Sequence, residues 1–369
     1  MQLIPFFLIG SFVISILLGM IMIPNILLVS YKKRLFDMPD SRKVHTCPIP
    51  RLGGLSFLPA IIITFSLVMG VRYIIGIPVT HLPLHRTLYE LLFWLVGSML
   101  LYLIGVQDDL IGVGYRKKFL VQILAALLLV SCGDWINSLS GLFGIYDLPA
   151  WIGIPFTVFL IVYITNAINL IDGIDGLASG LSCIALFMMG YMHYLLAQYI
   201  YVILALAALG ILIPFWCYNV FGNAGRGHKL FMGDAGSLTL GFLLSFLLIH
   251  LSVVKPVLSH SVASSSLVTA VSPLLVPLFD VVRVVVHRLR TGKSPFQPDK
   301  NHFHHKLLRT GMRPRWVMVT ILLVAVFFIV FNMLMEPVCH PTWIFILDLV
   351  LWIALHIVLD ILIVRRRTA

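Results

Sequence analysis

The chain has 369 residues, of which 60% are apolar and 11% charged, with 26 Lys and Arg against 15 Asp and Glu. Soluble domains carry roughly 25% charge, so that class is excluded. A disordered chain and a disulfide-stapled secreted domain are excluded too, because the five Cys lie apart at 47, 132, 183, 217 and 339 and form no CxxC pair.

About 221 apolar residues would fill roughly eleven bilayer-crossing helices of about 20 residues each. Apolar runs between charged or Gly/Pro-rich breaks predict spans near 3–30, 53–71, 88–106, 119–132, 151–168, 177–193, 197–216, 236–254, 264–286, 316–335 and 342–364. The expected fold is an all-α integral membrane protein of ten to eleven transmembrane helices, a single polytopic domain over 1–369. The first run lacks a charged n-region and a small-residue cleavage site before Tyr31, which reads as a retained signal anchor. The segment 133–150, with Trp135, Tyr146 and Trp151 at its end, suits an irregular or hairpin structure at the outer interface.

A net charge of +11 would suit nucleic acid or anionic lipid, but membrane orientation creates the same excess. With eleven alternating spans, all but Arg72, Arg86 and Lys255 of the 26 basic residues fall on one side. That asymmetry predicts the basic side in the cytoplasm, the N-terminus outside and the C-terminus inside, with no nucleic-acid partner. Asp37, Asp40, Asp108, Asp109, Asp172, Asp175, Asp234 and Asp299 join the basic side, whereas Glu90, Asp134, Asp147 and Glu336 lie opposite. Short carboxylates gathered at one membrane surface indicate a site, built from loops 31–52, 107–118, 169–176, 217–235 and 287–315.

Five stretches carry its chemistry. Residues 42–54 supply Lys43 and Arg51 before the Gly53-Gly54 opening of a helix, cations suited to an anionic ligand or to topology alone. Next, the third span ends in Asp108-Asp109, adjacent carboxylates that repel unless a metal, a proton or a basic group compensates. A solvated loop partnered by Arg116, Lys117 and Lys118 would also account for them. In NAINLIDGIDGL, from Asn166 to Leu177, Asp172 and Asp175 are one helical turn apart and each precedes a glycine. No Lys or Arg lies in that loop, which makes a metal attractive; capping aspartates in a Gly-rich turn are the plainer option. Asp234, in Phe231-Met232-Gly233-Asp234-Ala235-Gly236-Ser237, opens a helix where it could hold magnesium while the first amides face phosphate oxygens, or simply cap the helix. Finally, His302, His304 and His305 stand between Lys300 and Lys306, a grouping better matched to phosphates than to zinc, because no Cys or Glu ligand accompanies it.

The order PRLGG, DD, NAINLIDGIDGL, FMGDAGS and HFHH, running from about Arg42 to His305, resembles that of the polyprenyl-phosphate N-acetylhexosamine-1-phosphate transferases. The resemblance implies transfer of a sugar-1-phosphate from a UDP-sugar to undecaprenyl or another polyprenyl phosphate, with release of UMP and a requirement for magnesium, manganese being an option. It implies a site on the cytoplasmic face of a bacterial inner membrane, where a soluble donor meets a lipid acceptor. By matching positions, Asp234 and Asp175 stand for the metal carboxylates, and Asp108 and Asp109 for the catalytic pair. Asp172 and Asn169 belong to the polar wall, His302, His304 and His305 to the donor diphosphate, and Phe231 to the uracil, with Lys43 and Arg51 as further substrate contacts. Asn219 and Asn223 compete for the family's nucleotide asparagine. The Asp-Lys-Asn-His-Phe-His-His stretch looks most like the N-acetylglucosamine enzymes that initiate O-antigen, common-antigen or teichoic-acid linkage synthesis. Arg51-Leu52, Ile171 and Lys306 depart from the muramoyl-pentapeptide translocase pattern, the alternative within the family. A cation-coupled transporter or flippase is the alternative class, and it would place ionisable groups near the bilayer midplane, where Asp348 is the main instance. A homodimer paired through a lipid-facing span is compatible with either.

Overall fold

The computed structural model describes residues 3–36, 48–76, 84–253, 266–294 and 301–368. Among them the regular structure is helical: α1 (Ile4–Lys33), α2 (Phe57–Ile75), α3 (Leu84–Ile111), α4 (Tyr115–Ser131), α5 (Ala150–Ile171), α6 (Leu177–Leu195), α7 (Tyr199–Phe221), α8 (Gly233–Val253), α9 (Leu267–Val271), α10 (Leu275–Arg290), α11 (Phe303–Arg309), α12 (Pro314–Met335) and α13 (Pro341–Thr368). Ten stretches among the described residues are long and apolar enough to cross a membrane, α9 and α10 counting as one. The protein is a multi-pass membrane protein.

The eleventh predicted span is α4, whose 17 residues reach about 25 Å, near the thickness of a hydrocarbon core of about 30 Å. Its ends show that it runs alongside α3. Arg86 at the start of α3 donates to Asp134, just past the end of α4, at 2.9 Å, while Lys118 at the start of α4 reaches Asp108 near the end of α3 at 3.1 Å. The two helices are therefore an antiparallel hairpin pinned by an ion pair at each end.

The predicted span 264–286 is broken into α9, a 3-10 turn at Ser272–Leu274 and α10. Pro273 and Pro277 explain the break, since neither has an N–H to continue the helical ladder. Residues 133–150 form an irregular hairpin, with Leu148 donating to the Asn137 carbonyl at 2.8 Å and a bridge between Ser138 and Asp147.

α8 is the axle of the bundle. It is apolar on every face, and Gly233 to Leu251 are all buried, as expected of a helix surrounded by others. Its hydroxyls bond back to their own turn, Thr239 to the Ala235 carbonyl at 2.6 Å and Ser245 to that of Gly241 at 2.8 Å. Three close approaches fix its position. A Cβ on Gly54 would lie 2.1 Å from the Gly236 nitrogen, one on Gly105 2.5 Å from the Ala235 Cα, and one on Gly241 2.6 Å from the Thr165 Cα. Glycine at these positions lets α2, α3 and α5 approach α8.

At the far end of the bundle Glu90 is buried, taking Arg86 at 3.0 Å and the Tyr201 hydroxyl. Two acids expected to face the outside, Glu90 and Asp134, are thus joined by one arginine.

Candidate active site

The site lies where α3, α5, α7 and α10 end and α2, α4, α6, α8 and α11 begin. Residues 50–54 lie against 231–232 through backbone pairs: the Phe231 N–H donates to Pro50 at 2.8 Å, Gly53 to Phe231 at 2.9 Å and Gly54 to Met232 at 2.7 Å. That contact carries Arg51 to the start of α8.

The two adjacent aspartates have different tasks. The Asp109 carboxylate is fully buried and accepts the backbone N–H of Asp234 at 2.8 Å and of Ala235 at 3.0 Å. It is a cap supplied by a different helix, satisfying two of the donors that a helix start leaves open. The sequence-based expectation that the first amides of α8 face a phosphate is corrected here: Asp109 already occupies two of them. Asp108 turns the other way, accepting the Val113 N–H at 2.6 Å and Lys118 at 3.1 Å.

Asp234 is the hub. Its carboxylate takes Lys118 Nζ at 2.5 Å, Asn169 Nδ2 at 3.2 Å and Arg51 at 3.4 Å. Asn169 also donates to Ser237 at 2.8 Å. One ammonium therefore lies between two carboxylates, Asp108 and Asp234. Asp172, at the end of α5, is open to solvent and within electrostatic reach of Arg51, Asp234, Asp175 and Asp109.

Asp175 has a partner that its own loop could not supply, Lys229 at 2.5 Å. The loop carries no cation of its own, but the inference that its carboxylates lack a partner is corrected for Asp175, because Lys229 arrives from the segment before α8. Asn219, buried near the end of α7, accepts the Gly176 N–H at 2.5 Å and donates to the Leu230 carbonyl at 2.8 Å. It pins the aspartate loop to the same segment, whereas Asn223 is exposed and caps the Gly225 N–H of its own turn at 2.8 Å. Phe231 is half-buried beside Gly53.

The histidine stretch joins from the opposite wall. Asp280 in α10 accepts His302 Nδ1 at 2.9 Å, the Phe303 N–H at 2.9 Å and Arg283 at 2.9 Å. Arg283 also donates to the Asn301 carbonyl. His302 and His304 are buried with stacked rings, and His305 is half-buried against His304 at 4.2 Å. A Cβ on Gly173 would lie 2.5 Å from His304 Nε2, so the imidazole rests on the aspartate loop. Burial, followed by the neighbouring His305 and His302, pushes His304 down to about 3, so it is neutral at pH 7 and acts as a hydrogen-bonding group rather than a cation.

The structure thus brings together Arg51, Asp108, Asp109, Asn169, Asp172, Asp175, Phe231, Asp234, His302, His304 and His305. Lys43 lies outside the described residues. Sequence reasoning missed Lys229 and Asp280, and it named Lys118 only as a loop partner of Asp108-Asp109, without its second carboxylate, Asp234. A lone carboxylate in an apolar span was the available signal for Asp280.

Two comparisons bear on this arrangement. Residues 91–252 match the family model described as glycosyl transferase family 4. The undecaprenyl-phosphate alpha-N-acetylglucosaminyl 1-phosphate transferase of Salmonella typhi is 32% identical over 299 residues, 80% of this chain and 75% of that protein. Its namesake in Yersinia pestis is 31% identical over 319 residues, covering 86% and 81%. A Bacillus subtilis (strain 168) protein described as a probable undecaprenyl-phosphate N-acetylglucosaminyl 1-phosphate transferase is 32% identical over 320 residues, covering 86% and 82%. With that identity over most of both chains, this protein belongs to glycosyl transferase family 4, the polyprenyl-phosphate N-acetylhexosamine-1-phosphate transferases that its motifs resemble.

Proposed function

We propose that this chain transfers N-acetylglucosamine-1-phosphate from UDP-N-acetylglucosamine to undecaprenyl phosphate and releases UMP, on the cytoplasmic face of a bacterial inner membrane. The observation that carries this is the convergence of Asp108 and Asp234 on one cationic atom, Lys118 Nζ, opposite the Asp280-held histidine stretch. The names of the relatives support the sugar and the lipid. The basic residues crowding the same end of the bundle support the cytoplasmic side, and with it an outer N-terminus and an inner C-terminus.

Magnesium fits the donor set. It is commonly held by one or two carboxylates and completed by substrate phosphates, and two carboxylates already share a cation here. Among the described residues no group of three or more His, Cys, Asp or Glu could hold a metal ion by itself, so substrate oxygens would have to complete its shell. Asp234, with Asp108 or Asp175 beside it, would hold the ion, which when bound offsets charge on the diphosphate. Manganese would suit the same oxygens.

The chain's own residues account for the rest. Lys118 and Arg51 draw the phosphates in, and Asp109 keeps Asp234 aimed by holding the amides on either side of its backbone. An acceptor phosphate oxygen attacks the β-phosphorus, the bond from that phosphorus to the bridging oxygen breaks, and its electron pair leaves with UMP. Asp108 orients the acceptor and takes any remaining proton, a modest task because a phosphomonoester loses its second proton near pH 6, on the order of the medium itself. His302 and His304 would donate to the donor diphosphate, and Phe231 would stack on uracil.

The test is release of labelled UMP by the purified protein, with UDP-GlcNAc, UDP-GalNAc and UDP-MurNAc-pentapeptide run in parallel. Release that needs both undecaprenyl phosphate and UDP-GlcNAc supports the assignment. Preference for the muramoyl donor would transfer it to the translocase activity, and no release with any donor would overturn it.

A further inference from the structure

The last helix lies beyond the stretch that the family model matches, leaves most of its surface exposed, and buries a single stripe: Ile344, Asp348, Trp352, His356 and Leu359. The residues four apart on that stripe, Asp348, Trp352 and His356, are followed at the next step by Asp360. An ordinary lipid-facing helix would present aliphatic side chains there. Instead, Asp348 meets the end of α12, and Trp352, His356 and Asp360 meet the histidine stretch. Asp348 accepts Asn332 of α12 at 3.0 Å. Trp352 and His356 meet the fully buried Phe303 ring at centroid distances of 5.1 and 5.2 Å. Asp360 pairs with Lys306 at 2.7 Å.

Phe303 is the residue between His302 and His304, so a displacement of its ring carries both imidazoles with it. Asp280 holds this segment from one side through the His302 ring and the Phe303 amide, and α13 closes the other. Neither ring nitrogen of His356, nor the Trp352 indole nitrogen, has a hydrogen-bond partner among the described residues. Their grip on Phe303 is therefore one of ring shape.

We infer that α13 is a positioning element for the donor end of the site, with Trp352 and His356 as positioning residues that set His302 and His304 through Phe303. The inference rests on the proposed contact of those histidines with the donor diphosphate, and it predicts an effect on the donor alone, because Asp108, Lys118 and Asp234 stand on other helices.

The full-length protein in lipid nanodiscs is assayed for UMP release while UDP-GlcNAc and undecaprenyl phosphate are varied separately. His356→Ala and Trp352→Ala are expected to raise the donor KM about tenfold, a fraction of the about hundredfold cost that an ångström of misplacement can carry, with the acceptor KM unchanged. His356→Phe, which keeps a ring against Phe303, should restore the donor KM. Asp360→Asn, an exposed change that leaves the packing intact, should raise it about two- to threefold, on the order expected of a surface ion pair, and it carries the test if the alanine variants do not assemble. Equal changes in both KM values and kcat, failure of His356→Phe to rescue, or an unchanged donor KM in every variant that assembles would overturn the inference. His302→Ala is the reference. If it leaves the donor KM untouched, the diphosphate role of the histidines fails; if it raises the donor KM while the α13 variants do not, only the role of α13 fails.

Discussion

The carboxylate of Asp109 accepts the backbone N–H of Asp234 at 2.8 Å, so one aspartate of the site is held in place by another whose own carboxylate is buried. Adjacent Asp108 accepts the Val113 N–H and a lysine instead. The pair is therefore two residues with separable effects.

Asp109→Leu leaves two buried amides without an acceptor, each costing about 1–3 kcal/mol, so thermal unfolding should fall by several degrees and turnover should drop with it. Asp108→Asn should keep the melting temperature and the donor KM and lower kcat. Melting curves and steady-state kinetics on the two variants separate the roles, and equal loss of stability in both would contradict the division.

Lys118 and magnesium would compete for the oxygens of Asp108 and Asp234, which lie 3.1 and 2.5 Å from its ammonium. Lys118→Met should therefore lower the magnesium concentration needed for half-maximal activity while reducing kcat, because the phosphates lose a cation. A magnesium titration of the variant reads both quantities. An unchanged half-saturation point would show that the ion sits elsewhere.

Gly54 and Gly70 offer a contrast within one segment of chain. A Cβ at Gly54 would come within 2.1 Å of the Gly236 nitrogen, whereas nothing lies within 4 Å of one at Gly70. Gly54→Ala should cost at least the roughly 1–3 kcal/mol typical of overpacking and disable the site by shifting the start of α8. Gly70→Ala, in the middle of α2, should be neutral or stabilising by up to about 1 kcal/mol. Melting temperature and UMP release are the readouts.

His304 ties stability to acidity. Its ordinary value of 6.5 falls to about 3 in the folded protein, so between those values the unfolded chain binds a proton that the native state refuses. Stability is full above about pH 6.5 and declines as pH falls toward 3, with a slope of at most about 1.4 kcal/mol per pH unit from this group. His304→Gln should flatten the loss between pH 7 and pH 5 in a thermal scan; an unaltered slope would assign the acid sensitivity to other groups.

Much of the architecture was legible in the sequence because bilayer spans are set by local composition. Ile4–Lys33 and Pro314–Met335 contain windows of mean hydropathy 2.7 and 2.8, and no tertiary contact is needed to recognise them. The break between α9 and α10 was less legible, since the apolar run continues through Pro273 and Pro277 and only the backbone reveals the turn. Within the site, the motifs disclosed which carboxylates matter but not their partners. Asp175 finds Lys229 and His302 finds Asp280 across long separations in sequence, and local spacing carries no information about such pairs.

By itself the sequence determined the membrane class, the approximate number of crossings, the basic side and the family, because hydropathy, charge placement and motif order are properties of the chain read in one dimension. Only the tertiary structure decided which aspartate caps α8, which cation joins Asp108 to Asp234, and which helix backs Phe303. Those are matters of distance and direction between side chains on different helices, set by glycine-lined approaches around α8 that appear only once the bundle has closed.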